Sequence, residues 1–141
     1  MAPRQVTARG RARAAFALGA EGVQMGSRMV SAAESPVHQN WKQAILDAKE
    51  TDTVFLNRHS RPGLRALRTA NSERLEREAH VGMEAFAGAM DLYFGGDMEA
   101  AIALAGQVVG RIDAVQPVAE IIAETVASFR ATLAALQRFA N

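Results

Sequence analysis

Two short stretches of this chain read as β-strands, Gly22-Val23-Gln24-Met25 and Thr53-Val54-Phe55-Leu56, and almost everything else reads as helix or turn. That shortage of strands constrains the fold more than any other feature. A buried strand carries N–H and C=O groups that only neighbouring strands can satisfy. The first stretch is mostly apolar, as a strand inside a parallel sheet would be. The sequence offers it few partners. The residues therefore predict a mainly α chain with one or two short strands, one of them lacking the sheet it belongs to.

Composition enters the argument as a set of exclusions. The chain has 141 residues, 49% of them hydrophobic and 6% aromatic. One domain of closely packed, alanine-rich helices suits those numbers better than a β-sandwich. A net charge of +1 gives no reason to expect a polyanion partner for the chain as a whole. There is no cysteine, which excludes disulfides and thiolate chemistry and fits a reducing cytosol. No apolar run approaches the roughly 20 residues of a membrane span. Arg4, Arg9, Arg11 and Arg13 precede the first acidic residue, but no apolar segment and cleavage site follow them. Without interleaved aromatics the cluster reads as a solvated tail rather than a nucleic-acid contact. The expectation is a cytoplasmic chain with no membrane and no nucleic-acid partner.

Punctuation residues divide the remainder. Residues 14–18 read as the end of a helix, with Gly19 in the left-handed position that closes it. Arg28 opens a helical turn over 28–33. Ser35-Pro36 predicts a helix start, running to about Lys49 with Trp41, Ile45, Leu46 and Ala48 turned inward. Ser60-Arg61-Pro62-Gly63 is a turn, and Leu64 to Leu67 read as the beginning of a helical turn. Asn71-Ser72 would cap a charged helix over 73–80. Helices are also expected over 83–92 and 98–109, with a break at Gly95-Gly96-Asp97. Pro117 opens the strongest helix, whose apolar positions include Val118, Ile122, Phe129, Leu133 and Leu136.

The chemistry concentrates at Val23-Gln24-Met25-Gly26-Ser27-Arg28. A glycine after a strand lets an anion come close to the backbone. A serine and the N–H groups of a starting helix supply donors, and an arginine adds charge. The same residues also suit a plain turn with a surface arginine, and spacing does not separate the two readings. His38, His59 and His80 lack metal-ligand spacing. Asp97 and Glu99 are two residues apart, so they suit capping rather than paired acid–base work. Met25, Met29, Met83, Met90 and Met98 read as core fillers.

The stretch GAEGVQMGSRMVSAAESPVHQNWKQAIL resembles the last barrel strand and following helix of the nitronate monooxygenases. These are FMN enzymes with a TIM-barrel core, related to flavin-dependent enoyl-acyl-carrier-protein reductases. The resemblance continues through Asp52-Thr53, through Ser60-Arg61-Pro62-Gly63-Leu64-Arg65-Ala66, and through LYFGGDMEAAIALAGQVVGRIDAVQPVAEIIAETVASF. It covers residues 14–141, whereas the Arg/Ala-rich residues 1–13 match poorly, as after a shifted reading frame or an internal start. It implies the C-terminal part of an α/β TIM barrel of FMN-linked oxidoreductase type, with its helical cover.

The resemblance further implies FMN as cofactor and Gln24, Met25, Gly26 and Ser27 as flavin-contacting residues. Gly106 and Gln107 match a Gly-Gln pair on the family's active-site side. Substrates would be a nitronate or related small molecule and oxygen. The chain departs from the pattern in two places. It has no Gly-Gly-Ile phosphate segment, and none of its three histidines matches the family's catalytic one. No catalytic residue is therefore assigned within the chain, which is expected to be inactive alone and to self-associate through its open edges. The alternatives are an enoyl-thioester reductase, or a non-catalytic helical remnant that binds a partner through its unpaired apolar face.

Overall fold

The computed structural model describes residues 18, 19 and 21–137. The expectations for residues 1–13 and for the helix over 14–17 lie outside them. Gly19 has φ +93°, in the left-handed region that favours glycine. The chain forms two compact units, one of residues 26–115 and one that joins the segment up to 25 to the segment from 116.

The larger unit is built around a β-hairpin. Strand β1 (Thr53–Leu56) pairs antiparallel with β2 (Leu64–Leu67), matching Val54 to Ala66 and Leu56 to Leu64. The expectation for β1 holds, whereas the helical turn expected over 64–67 is a strand. Leu, Arg and Ala favour helices, so tertiary pairing overrides propensity here. The hairpin turn is locked by Asn57. Its side chain donates to the carbonyls of Pro62 (2.9 Å) and Val81 (3.0 Å) and accepts the Val81 N–H (2.7 Å). The Arg61–Pro62 peptide in that turn is cis.

The far edge of β2 is covered by the segment expected to be the small-residue helix over 98–109. That segment is extended instead. The Leu67 N–H donates to Ala103 O (2.9 Å), the Ala105 N–H donates to Arg65 O (3.0 Å), and Leu104 bridges to Ala66. Ala101, Ala103 and Ala105 enter one core with Trp41, Ile45, Leu92 and Val109. Ile102 enters a second core with Val54, Leu56, Ala66, Leu75 and Val81. The sheet thus separates two apolar layers. The alternation was hidden because every residue from Ala100 to Ala105 is apolar.

Helix α1 (Ser27–Val30) is a single turn, starting one residue before the expected span of 28–33 and ending three residues short of it. Helix α2 (Gln39–Asp47) buries Trp41 and Ile45, with Leu46 and Ala48 partly covered. It starts after His38 rather than at Ser35-Pro36. Tertiary contacts decide the start: the His38 N–H donates to Tyr93 O (2.6 Å), and Asn40 Nδ2 donates to Gly96 O (2.9 Å). Helix α3 (Ala70–Leu75) is capped by Thr69, whose hydroxyl accepts the Ser72 N–H. It stops well before His80. Leu75 is its last apolar residue before Ala79, so a longer helix would have no second row to bury.

The helix expected over 83–92 is instead a 3₁₀ turn (Met83–Phe86) followed by a π turn (Asp91–Gly95). A second 3₁₀ turn spans Gln107–Arg111.

In the other unit, helix α4 (Val118–Gln137) follows Pro117 as expected and buries Ile121. The strand expected over 22–25 does not form. Gly22, Val23 and Gln24 are exposed, and no described segment pairs with them. A strand exists only where a neighbour closes its ladder.

Candidate functional site

Gly26 leads the chain into α1. Its φ is −92°, outside the left-handed region, and a Cβ built there meets no atom within 4 Å. Neither packing nor backbone conformation demands glycine at this point. What the residue provides is open space beside the backbone.

Ser27 follows and is buried. Its Oγ accepts the N–H of Gly106 at 2.9 Å, joining parts of the chain 79 residues apart. Accepting that bond leaves the hydroxyl proton available to donate, and no described group takes it. With only four residues, α1 has a negligible dipole. Whatever anion chemistry occurs here rests on the hydroxyl and on local N–H groups.

Arg28 turns elsewhere. Its Nη1 donates to Ala114 O at 2.7 Å and to Ser31 Oγ at 3.3 Å, and the Ser31 hydroxyl donates back to Arg28 O at 3.0 Å. The guanidinium braces α1 against the residues beyond Arg111. Of the four residues singled out from the sequence, Gly26 and Ser27 belong to the larger unit. Gln24 is exposed and Met25 half-buried in the irregular segment of the other unit. Gly106 is the residue whose partner the sequence could not supply. Its Gly-Gln pairing was visible, but not its closure onto Ser27. Gln107 is exposed at the start of its 3₁₀ turn.

Two of the three histidines make hydrogen bonds within the fold. His38 Nδ1 accepts the Asn40 N–H at 3.1 Å and caps α2. His80 Nδ1 lies 3.1 Å from Ser60 Oγ on the surface, and His59 is exposed. Glu84, also exposed, is held below the ordinary carboxylate value by its own N–H and that of Gly82, with His80 adding attraction. Among the described residues no cluster of three His, Asp or Glu could hold a metal. Asp97 and Glu99 are caps, as expected. Asp97 Oδ1 accepts the Glu99 N–H, and the Glu99 carboxylate accepts the N–H groups of Ala70 (3.2 Å) and Asn71 (2.6 Å).

A groove of about 250 Å³ runs beside Ala48, Leu67 and Met98. Its polar groups are committed to the fold: Asp52 accepts the Lys49 N–H, Arg68 pairs with Glu73, and Thr69 caps α3. The Ser27–Gly106 closure therefore remains the better candidate.

Residues 6–128 match the nitronate monooxygenase family model. The chain belongs to the nitronate monooxygenase family. Both sides of the Ser27–Gly106 closure lie within the matched span. A probable nitronate monooxygenase of Staphylococcus saprophyticus is 52% identical over 44 residues, 31% of this chain and 12% of that protein. One of Staphylococcus haemolyticus is 42% identical over 59 residues, 42% of this chain and 16% of that protein.

Two solved structures from Thermotoga maritima are similar in fold. FabK has a TM-score of 0.81 at 33% identity, over 96% of this chain and 45% of its own. Its M276A mutant has a TM-score of 0.80 at 34% identity, over 96% and 42%. The chain thus spans less than half the length of the structures it matches. Among the described residues no helix is long and apolar enough to cross a membrane.

Proposed function

We propose that the chain serves a flavin-dependent oxidoreductase of nitronate monooxygenase type, as the C-terminal part of a cytoplasmic TIM-barrel enzyme acting on a nitronate or related substrate with oxygen. The observation that carries the reading is the Ser27–Gly106 hydrogen bond beside the open backbone at Gly26. It leaves a buried, oriented hydroxyl with a proton to donate, next to space that no side chain fills. Those features suit the phosphate of FMN.

When bound, FMN supplies the redox chemistry. The chain's own residues hold and orient its phosphate end. Ser27 donates its hydroxyl proton to a phosphate oxygen, Gly26 admits the group to the backbone, and Gly106 keeps the serine in position. Gln24 and Met25 are proposed as flavin contacts on the family resemblance alone. His38, His59 and His80 are not the base that takes a substrate proton. His38 already commits its Nδ1 lone pair to capping α2.

The test is a titration of the chain with FMN and, in parallel, with riboflavin, followed by flavin fluorescence. FMN binding tighter than riboflavin binding, weakened about tenfold or more by Ser27→Ala, is the expected result. Equal affinity for the two flavins, or no binding of either, overturns the assignment. The chain alone is expected to show no oxygen uptake with propyl nitronate and no reduction of an enoyl thioester by NAD(P)H. Turnover abolished by His38→Ala would reverse the reading of that histidine.

A further inference from the structure

The hairpin turn brings a nucleophile and a base together at the surface. Ser60 Oγ lies 3.1 Å from His80 Nδ1, across 20 residues of sequence. Both are held by one buried residue, Asn57. Its carbonyl accepts the Ser60 N–H at 3.1 Å. Its side chain accepts the Val81 N–H at 2.7 Å and donates to Val81 O at 3.0 Å, which fixes the residue next to His80. A chance contact between two surface side chains has no such common anchor. With its proton on Nε2, the imidazole accepts the Ser60 hydroxyl at Nδ1, the pairing that activates a serine.

Two further groups complete the surroundings. The Glu84 carboxylate accepts the Gly82 N–H at 2.9 Å, and His80 attracts it. An imidazolium formed when the serine proton arrives is therefore met by a fixed negative charge. Arg61 follows Ser60 directly. It is exposed and, among the described residues, pairs with no carboxylate, whereas Arg58 pairs with Glu76. Its charge favours an acyl group that is itself anionic. Ser60 is half-buried and His80 exposed, so a small molecule reaches both from solvent.

We propose that Ser60 is an acyl-accepting nucleophile, with His80 as its general base, toward activated esters of small acids whose acyl chain carries a negative charge. Ser60 Oγ bonds to the ester carbonyl carbon as its proton passes to His80 Nδ1. The carbonyl re-forms as the bond to the leaving alkoxide breaks, and that alkoxide takes the proton from Nδ1. Water then repeats the exchange at acyl-Ser60, releasing the acid and restoring the hydroxyl. The reaction consumes no oxidant and needs no cofactor, so it is independent of the flavin assignment. His80 takes the Ser60 proton here, not one from the oxidoreductase substrate.

Mono-p-nitrophenyl succinate, an activated ester with an anionic acyl chain, tests it on the full chain. Absorbance follows nitrophenolate release, and peptide mass spectrometry locates the acyl group, which should appear on Ser60. Ser60→Ala and His80→Gln should each slow release about tenfold or more, near the low end of what a positioned general base contributes. Both positions lie at the surface, so circular dichroism should not change. Ser60→Cys should restore acyl transfer, since a thiolate formed beside the imidazole is the stronger nucleophile. Relative to spontaneous hydrolysis, p-nitrophenyl acetate should react more slowly than the succinate, and Arg61→Gln should erase that difference. Release that Ser60→Ala leaves unchanged overturns the proposal. So does an acyl group found on His80 or a lysine in place of Ser60, a His80→Gln protein as fast as the parent, or equal relative rates with the two esters.

Discussion

Ser27 Oγ and the Gly106 N–H are 2.9 Å apart, and their hydrogen bond fastens the start of α1 to the turn at Gln107–Arg111. The bond gives Ser27 two roles that substitution can separate. Ser27→Ala orphans a partly covered N–H and should cost about 1–2 kcal/mol of stability. Ser27→Thr keeps the hydroxyl and should recover most of that. Thermal melting reads the difference, and a Ser27→Ala protein as stable as the parent would mean that Gly106 finds another acceptor.

Gly26→Val isolates the other role. A side chain at Gly26 enters open space, so the melting temperature should stay within about a degree of the parent, as for a surface change. FMN affinity, by contrast, should fall at least tenfold because the added methyl groups occupy the space assigned to the phosphate. A variant that melts normally and binds FMN normally would remove the cofactor from this position.

Glu99 caps α3 from outside the helix, accepting two of its first N–H groups. A carboxylate there is favoured by both hydrogen bonding and the helix terminus. Glu99→Ala should destabilise by about 1 kcal/mol, with the loss concentrated in faster amide exchange over residues 70–75. Exchange that speeds up uniformly across the chain instead would point to a global rather than a capping effect.

Legibility of the fold followed the physics of each segment. Helix α4 was readable because Pro117 and a long apolar repeat specify it locally. Strand β1 was readable because Thr-Val-Phe is β-branched and aromatic. Leu64–Leu67 was not, since its residues favour helix and only pairing with β1 and Leu104 makes it a strand. The alanines at 101, 103 and 105 concealed a two-residue period, because apolar residues on both faces leave no contrast. At the candidate site, Gly26 and Ser27 could be picked out from residue chemistry. Their closure by Gly106 could not, because no local rule brings together residues so far apart in sequence.

The Glu84 carboxylate gives a pH signature. Backbone N–H groups of Glu84 and Gly82 hold its folded-state pKa below the ordinary value of 4.5, with His80 adding attraction. A depressed acid favours the folded form above its unfolded pKa, and that contribution is lost as pH falls through the lower, folded value. The turn Met83–Phe86 should therefore loosen only in acid beneath pH 4.5. Side-chain carboxyl shifts of Glu84, followed with the Gly82 amide, should titrate together below that of a solvated glutamate. A midpoint at or above 4.5 would contradict the arrangement.

Gly96 ties the π turn to the cap of α2, and its replacement should be the most damaging of the changes considered. Its φ of +76° is left-handed, and a Cβ would overlap the His38 imidazole. Gly96→Ala therefore meets two costs, the backbone conformation at roughly 1 kcal/mol and the displacement of a ring that caps a helix, together about 2–4 kcal/mol. The sole tryptophan reports the damage. Trp41 is 1% exposed and meets the Tyr93 ring edge-on at 4.8 Å, so loosening of residues 93–96 should shift its emission to longer wavelength. Combining Gly96→Ala with His38→Ala removes the overlap but not the φ cost. The double variant should be less destabilised than the sum of the singles by about 1 kcal/mol or more. Strict additivity would show that the imidazole yields freely, leaving the left-handed backbone as the whole reason for glycine at that position.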